Sequence, residues 1–261
     1  MPPPDRPRHR SALARYDWIV TDDGSHTLED LQLGETFHSG CGAVAESWHV
    51  YVCNSGLRRL IAANRTVDAF EYGLGTGTAF LLTAAWAEAN ASQLNYCAVE
   101  KELLAPQVLR RLPIEVGLAG LEDQACHALS EQIGKLHTAF CDALDSAPPT
   151  AGWLHVQLSK FVNLNLWLGD ACKFSAAKLA EDCPQSFDSV YFDPFSPESN
   201  PELWQPEVYR NAWNLLKPAG VLTSYCVKGV VRRDMQSAGF DVTKVAGPPS
   251  GKREVLVATK I

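Results

Sequence analysis

Residues 67–80 read VDAFEYGLGTGTAF, and the rest of the chain is arranged around them. A strand-like run, Val67–Tyr72, meets three glycines at alternate positions, Gly73, Gly75 and Gly77, and a helix-like run, AFLLTAAWAEA, comes at once after them. Glycines at this spacing let the backbone turn tightly and approach a ligand with no Cβ in the way. The helix behind them turns its free N–H groups toward whatever sits there. A glycine-rich strand–helix turn also occurs simply as a turn, so the downstream strands have to decide between the two. The reading favoured here is the nucleotide-cofactor corner of a doubly wound α/β domain.

Downstream, three further strand-like runs end in acids. LNYCAVE closes on Glu100, 23 residues beyond Gly77, where the next strand of such a fold ends and a carboxylate accepts from both ribose hydroxyls of a nucleoside. The competing role, an acid complementing a helix dipole, is the weaker one beside a glycine loop. FVNLNLWLG runs into Asp170, which suits either the exocyclic amine of an adenine or the cap of the next helix; the sequence leaves both open. A buried-type strand over Phe187–Phe192 opens into Asp193, Pro194 and Phe195. Ligand crevices in open α/β sheets lie outside those strand ends. Asp193 is the polar side chain best placed to accept a proton or orient a nucleophile.

The remaining segments fill in the frame. A helix is expected over residues 206–217, stopped by Pro218, then the strand VLTSYCV, a helix over 228–238, and two closing β segments joined by the basic loop PPSGKRE. That makes seven strands alternating with helices, the last two antiparallel. Residues 104–150 form a mostly helical insert whose apolar face is expected to cover the sheet, and WLHVQL pairs with FVNLNLWLG as a hairpin. Residues 16–60 are expected to be a β-rich extension, including a strand through Trp48, Val50 and Val52. DGSHTL within it reads as a turn rather than a lid, and His38 and His49 lack metal-ligand spacing. Residues 1–15 are expected to be a disordered tail.

Composition narrows the class. The chain has 261 residues, 46% hydrophobic and 20% charged, an ordinary globular balance. No apolar run approaches the ~18 residues of a membrane span, and MPPPDRPRHR has no signal-type apolar region. Eight cysteines without a C-x-x-C pair suit a reduced, cytoplasmic chain better than disulfides or zinc. A net charge of −7 argues against unselective nucleic-acid binding, though a local basic patch is compatible with it.

The strand count, the glycine loop and the antiparallel end resemble class I S-adenosylmethionine-dependent methyltransferases, with a Rossmann-like seven-stranded sheet. The match narrows over DGS-x-TL, FHS-x-x-GA-x-x-E-x-x-HV, EYGLGTGT, LGDA, DPFSP-x-x-NPELW, VVRRDMQSAGF and GPPSGKRE. These are similar to the tRNA 5-methylaminomethyl-2-thiouridine methyltransferase family, in its stand-alone, MnmC methyltransferase-domain-like form. The resemblance implies S-adenosylmethionine as cofactor, with Glu46, Glu71, Gly73, Gly75, Gly77, Glu100 and Asp170 around it, and Asp193 beside the amine to be methylated. It implies tRNA as partner, its wobble uridine as target, and a separate flavin-dependent oxidase or the aminomethyl-forming enzymes as companions. Phe195, Trp204 and Tyr225 would wall the amine, and Lys228, Arg232, Arg233, Lys252 and Arg253 would meet phosphates, with Arg8, Arg10 and Arg15 as helpers. Pro194 and Ala219 depart from the family pattern. The first makes DPF resemble the loop of exocyclic-amine methyltransferases, an alternative alongside an aminopropyltransferase and a non-catalytic nucleotide- or tRNA-binding module.

Overall fold

The computed structural model describes residues 6–10, 15–121, 124–146, 151–181, 183–249 and 251–261. A four-stranded antiparallel sheet comes first, in the order β1 (Arg8–Arg10), β2 (Tyr16–Val20), β3 (His26–Asp30) and β4 (Glu35–Thr36). The sequence suggests disorder for residues 8–10; instead they pair with Asp17 to Ile19 of β2, and Arg6 holds Asp22 through two hydrogen bonds of 2.9 and 2.8 Å. An edge strand of Arg and His fits a solvent-facing position, where unpaired backbone is best guarded by charge. The rest of the expected tail, residues 1–5 and 11–14, lies outside the described residues.

The segment after this sheet departs most from the sequence reading. α1 (Ala43–Ser47) runs straight into a π-helical stretch, Trp48–Cys53, and α2 (Leu57–Ala62) comes next. No strand passes through Trp48, Val50 and Val52. All three are buried, as is Tyr51 between them, and a short helix buried on most sides shows no polar face to set its period. DGS is a turn and HTL opens β3: Asp23 accepts from Ser25 N at 2.9 Å and also from Ala45 N in α1, at 2.9 Å. The turn therefore tethers the helix behind it.

The main sheet has eight strands rather than seven. Its members are β5 (Val67–Tyr72), β6 (Leu94–Glu100), β7 (Gly152–Gln157), β8 (Val162–Leu168), β9 (Phe187–Phe192), β10 (Leu216–Ser224), β11 (Phe240–Ala246) and β12 (Glu254–Lys260). They lie in the order β11-β12-β10-β9-β5-β6-β8-β7. The extra member is β7, the outer arm of the expected hairpin, paired antiparallel to β8 at the edge. The five inner strands from β10 to β8 are parallel, and β12 enters antiparallel to both β10 and β11.

Helices cover both faces: α3 (Thr78–Ala89), α4 (Pro106–Leu109), α5 (Ser130–Ser146), α6 (Pro206–Leu215) and α7 (Gly229–Ser237). α3 is buried along most of its length, which explains why its sequence is apolar all round. The amphipathic α5 packs on α3, the Phe140 ring 5.7 Å from that of Phe80, rather than on the sheet itself. α6 stops at Leu215, two residues sooner than expected, because β10 begins at Leu216. Ala219 then takes a left-handed φ of 61°, where the β10–β9 register shifts. A second glycine there would relieve a cost of roughly 1–2 kcal/mol. Among the described residues no helix is long and apolar enough to cross a membrane, and none of the eight cysteines forms a disulfide.

Candidate active site

Strand register alone brings the acids to one rim. Tyr72 of β5 pairs with Val99 of β6 and Phe192 of β9, while Glu100 pairs with Leu168 of β8. The parallel strands therefore end level, and Gly73, Glu100, Asp170 and Asp193 come out on the same side. β5 leads to β6 on one flank and lies against β9 on the other, the switch point at which such sheets bind ligands. A cavity of about 530 Å³ opens there, lined among others by Glu46, Gly73, Gly75, Glu100, Asp170, Asp193, Phe195, Tyr225 and Lys252. That size suits a drug-sized ligand.

The glycine loop makes the floor. Gly73 has φ 85°, and a Cβ there would lie 3.1 Å from the Asp193 carbonyl oxygen, so no other residue lets β5 and β9 open side by side. Gly75 has φ 52°, and its N–H donates to the Glu100 carboxylate at 3.0 Å; the Glu102 N–H holds the other oxygen at 2.8 Å. Burial pushes the Glu100 carboxyl up, and those N–H groups pull it back only in part. Gly77, with φ 73°, caps α3, so the first backbone N–H groups of that helix have no side-chain partner from the cap. Asp170 caps a short helical turn through Cys172 N at 3.0 Å, and it also lines the cavity. Burial raises its carboxyl, but the Cys172 N–H and Lys173 outweigh that and leave it below the usual range.

The other end is aromatic and held by side chains. Asp193 is half-buried against Tyr51, whose hydroxyl donates to Oδ1. Burial drives the Asp193 carboxyl well above the usual range; the Tyr51 bond and the Lys252 charge pull it down, and Glu46 pushes it up. Phe195 faces the cavity, edge-on to Phe37 with ring centroids 4.9 Å apart. Trp204 stands behind it, donating from Nε1 to the Phe195 carbonyl at 2.8 Å. Tyr225 donates to the Pro194 carbonyl at 2.9 Å. Lys252 Nζ lies 3.0 Å from Glu46 Oε1 and 3.8 Å from the Tyr225 ring centroid.

The N-terminal sheet supplies the opposite wall. Glu35 of β4 accepts from Ser196 N and Oγ at 2.9 and 3.0 Å, so the extension is pinned across the mouth to the loop carrying Asp193. Glu46 accepts from Ser39 N at 2.7 Å. His38 is structural, in keeping with its lack of ligand spacing: its ring bonds Thr27 and Thr76 at 3.1 and 3.4 Å, and burial lowers it to about 4.

Several anticipated residues lie elsewhere. Glu71 is behind the wall, fully buried under the loop, taking a 2.8 Å bond from Tyr96. Gly77 and Trp204 support the cavity from outside its lining. Of the basic group only Lys252 reaches the cavity. Lys228 pairs with Glu198, Arg232 and Arg233 sit on α7, and Arg253 is exposed on the loop before β12. Arg8 pairs with Glu29, and Arg15 lines the mouth beside Asp30 and Glu102; the Arg10 side chain lies outside the described residues. The sequence reading overlooked Tyr51, Glu35 and Phe37. Nothing in the run HVYVC marks one tyrosine out, since its partner is 142 positions away.

Acceptors spaced along a rim, an uncapped helix end and a floor with no Cβ fit a nucleoside carrying an amino-acid tail, as S-adenosylmethionine does. Known proteins agree. Residues 134–261 match a family described as S-adenosyl-L-methionine-dependent methyltransferase. The chain is 33% identical over 243 residues to the tRNA 5-methylaminomethyl-2-thiouridine biosynthesis bifunctional protein MnmC of Burkholderia multivorans, covering 90% of this chain and 33% of that protein. The protein of the same name from Ralstonia nicotianae is 30% identical over 228 residues, 86% of this chain and 31% of its own. The chain thus spans about a third of the length of these relatives. Among solved structures, MNMC2 from Aquifex aeolicus matches with a TM-score of 0.69 at 24% identity, over 98% of this chain and 71% of that one. Spermidine synthase from Thermotoga maritima matches at 0.54 and 13% identity, over 98% and 72%. These two likenesses are of fold.

Proposed function

Since this chain belongs to the MnmC methyltransferase-domain-like family of S-adenosylmethionine-dependent methyltransferases, we propose that it methylates the primary amine of 5-aminomethyl-(2-thio)uridine at the wobble position of tRNA. The observation that carries this reading is the pairing, in one cavity, of rim acceptors suited to a nucleoside with a separate acid, Asp193, bonded to the Tyr51 hydroxyl and walled by aromatic rings.

When bound, S-adenosylmethionine supplies an electrophilic methyl group. Glu100 would accept from its ribose hydroxyls and Asp170 from its adenine amine, with the glycine loop against its amino-acid tail. The incoming amine arrives as an alkylammonium, with a pKa near ~10 if it resembles lysine, and has no lone pair to offer. Asp193 binds and orients that cation and takes up its proton. Its raised affinity for a proton makes it a better acceptor than an exposed carboxylate, while its negative charge alone would hold the proton on the amine. Desolvation by Phe195 and Tyr225, backed by Trp204, favours the neutral amine and offsets that pull. Glu46 and Lys252 face each other across the same end and neutralise one another, so the field at the amine is set mainly by Asp193. Positioning two reactants in one closed space provides much of the acceleration.

Lys228, Arg232, Arg233, Lys252 and Arg253, beside the cavity mouth along α7 and the loop before β12, are the proposed phosphate contacts. A tRNA substrate implies a cytoplasmic protein, working beside a separate flavin-dependent oxidase or the enzymes that form the aminomethyl group. The test is mass analysis of the wobble nucleoside after hypomodified tRNA is incubated with the protein and S-adenosylmethionine. A gain of one methyl on aminomethyl-(2-thio)uridine is expected. Methylation of a nucleobase exocyclic amine instead, or none at all, would overturn the reading.

A further inference from the structure

We infer that Tyr51 is a positioning residue for the reaction: its hydroxyl fixes the Asp193 carboxylate in the orientation and charge state that receive the substrate amine. The inference rests on the amine-methylating reading and goes beyond it, to a residue of the N-terminal extension.

Three features place Tyr51 in this role. It lies in the middle of the π-helical stretch Trp48–Cys53, and single wide turns of that kind recur at functional sites. Its ring is completely buried and packs on Tyr191 of β9, with centroids 5.2 Å apart, so the hydroxyl has little freedom. Among the described residues it is the one hydrogen-bond donor to the Asp193 side chain. Oδ1 is thereby engaged and Oδ2 is left for the amine.

The surroundings make that bond consequential. Around Asp193 stand Glu46 from α1, Tyr225 after β10 and Lys252 from the loop before β12, with Glu71 of β5 and Tyr96 of β6 behind the wall. Glu46 opposes ionisation of Asp193, and Asp193 in turn opposes that of Glu71. Lys252 and the Tyr51 hydroxyl favour ionisation of Asp193. Lys252 is already shared with Glu46, so Tyr51 is the dedicated partner. Burial holds the Tyr51 phenol well above its usual range, which keeps it a donor at any working pH.

Tyr51→Phe removes the donor and keeps the ring. The acid limb of kcat/KM against pH is expected to rise by roughly one to two pH units, with wild-type and variant rates converging above the limb. The carboxyl of ¹³C-labelled Asp193, tracked by NMR in the protein alone, should titrate higher by the same interval. In an Asp193→Asn background Tyr51→Phe should cost nothing more. Equal losses at every pH, an unmoved carboxyl titration or additive losses in the double variant would each overturn the inference. If Tyr51→Phe does not fold, 3-fluorotyrosine at position 51, a stronger donor, should lower the limb; an unmoved limb is again contrary. The NMR titration needs no substrate, so failure of the tRNA reading and failure of this one are separable.

Discussion

The two ends of the cavity hold their acids by different means. At the nucleoside end, Glu100 and Asp170 are fixed by backbone N–H groups from their own neighbourhoods: Gly75 and Glu102 for the first, Cys172 for the second. At the amine end, Asp193 is fixed by a side chain from a distant helix and enclosed by rings. A backbone-held carboxylate accepts from fixed directions, which suits ribose and adenine contacts that do not change during reaction. A side-chain-held carboxylate in an apolar pocket is pushed toward its protonated form, which raises its affinity for the proton it is to accept.

If that contrast is right, damage to the two ends should separate binding from turnover. The largest effect is expected from Asp193→Ala: a loss of about 10³ in kcat, with S-adenosylmethionine affinity by calorimetry close to wild type. A variant that kept full turnover would remove the distinction. Next comes the scaffold beneath the nucleoside end. His38 is held at about 4 when folded against ~6.5 unfolded, so the unfolded chain takes up the proton first. This part of the stability is whole above pH ~6.5 and shrinks as pH falls toward ~4, by about 3 kcal/mol. Urea midpoints at pH ~7 and pH ~4.5 should therefore diverge less in His38→Gln than in wild type; equal divergence would assign the acid sensitivity to other groups.

Glu100→Ala should weaken cofactor affinity about 10- to 100-fold, from loss of charge-assisted bonds, and leave kcat at saturating cofactor little changed. An effect confined to kcat would blur the two ends into one. The smallest expected effect lies outside the cavity. Arg233→Ala should lower tRNA affinity less than about tenfold and flatten its salt dependence by about one ion. A salt slope identical to wild type would remove α7 from the proposed RNA face.

The same contrast explains what the sequence revealed. Gly73, Gly75, Glu100 and Asp170 were legible because local backbone holds them. A turn requires glycine at fixed spacing, and strands of equal length in a parallel sheet end level. Asp193 was legible from its place after a buried strand. Tyr51, Glu35 and Phe37 were not, since their partners are set by tertiary packing: Glu35 meets Ser196 at a separation of 161 residues. The π-helical Trp48–Cys53 reads as a strand because burial on most of its sides erases the period that marks a helix. The basic residues cluster in sequence, but their pairings are tertiary: Lys252 turns inward to Glu46 while Lys228 pairs with Glu198. β7 is recognisable as a hairpin arm, and nothing in its composition shows that it extends the sheet to eight strands.

The central claim is that one crevice holds a nucleoside against Glu100 while leaving Asp193 free for an amine. A crystal structure with S-adenosylhomocysteine tests it directly. The account expects the ribose on Glu100, the adenine at Asp170 and the sulfur turned toward Asp193 and Tyr225. A nucleoside bound elsewhere, or one whose tail lay on Asp193 and blocked it, would contradict it.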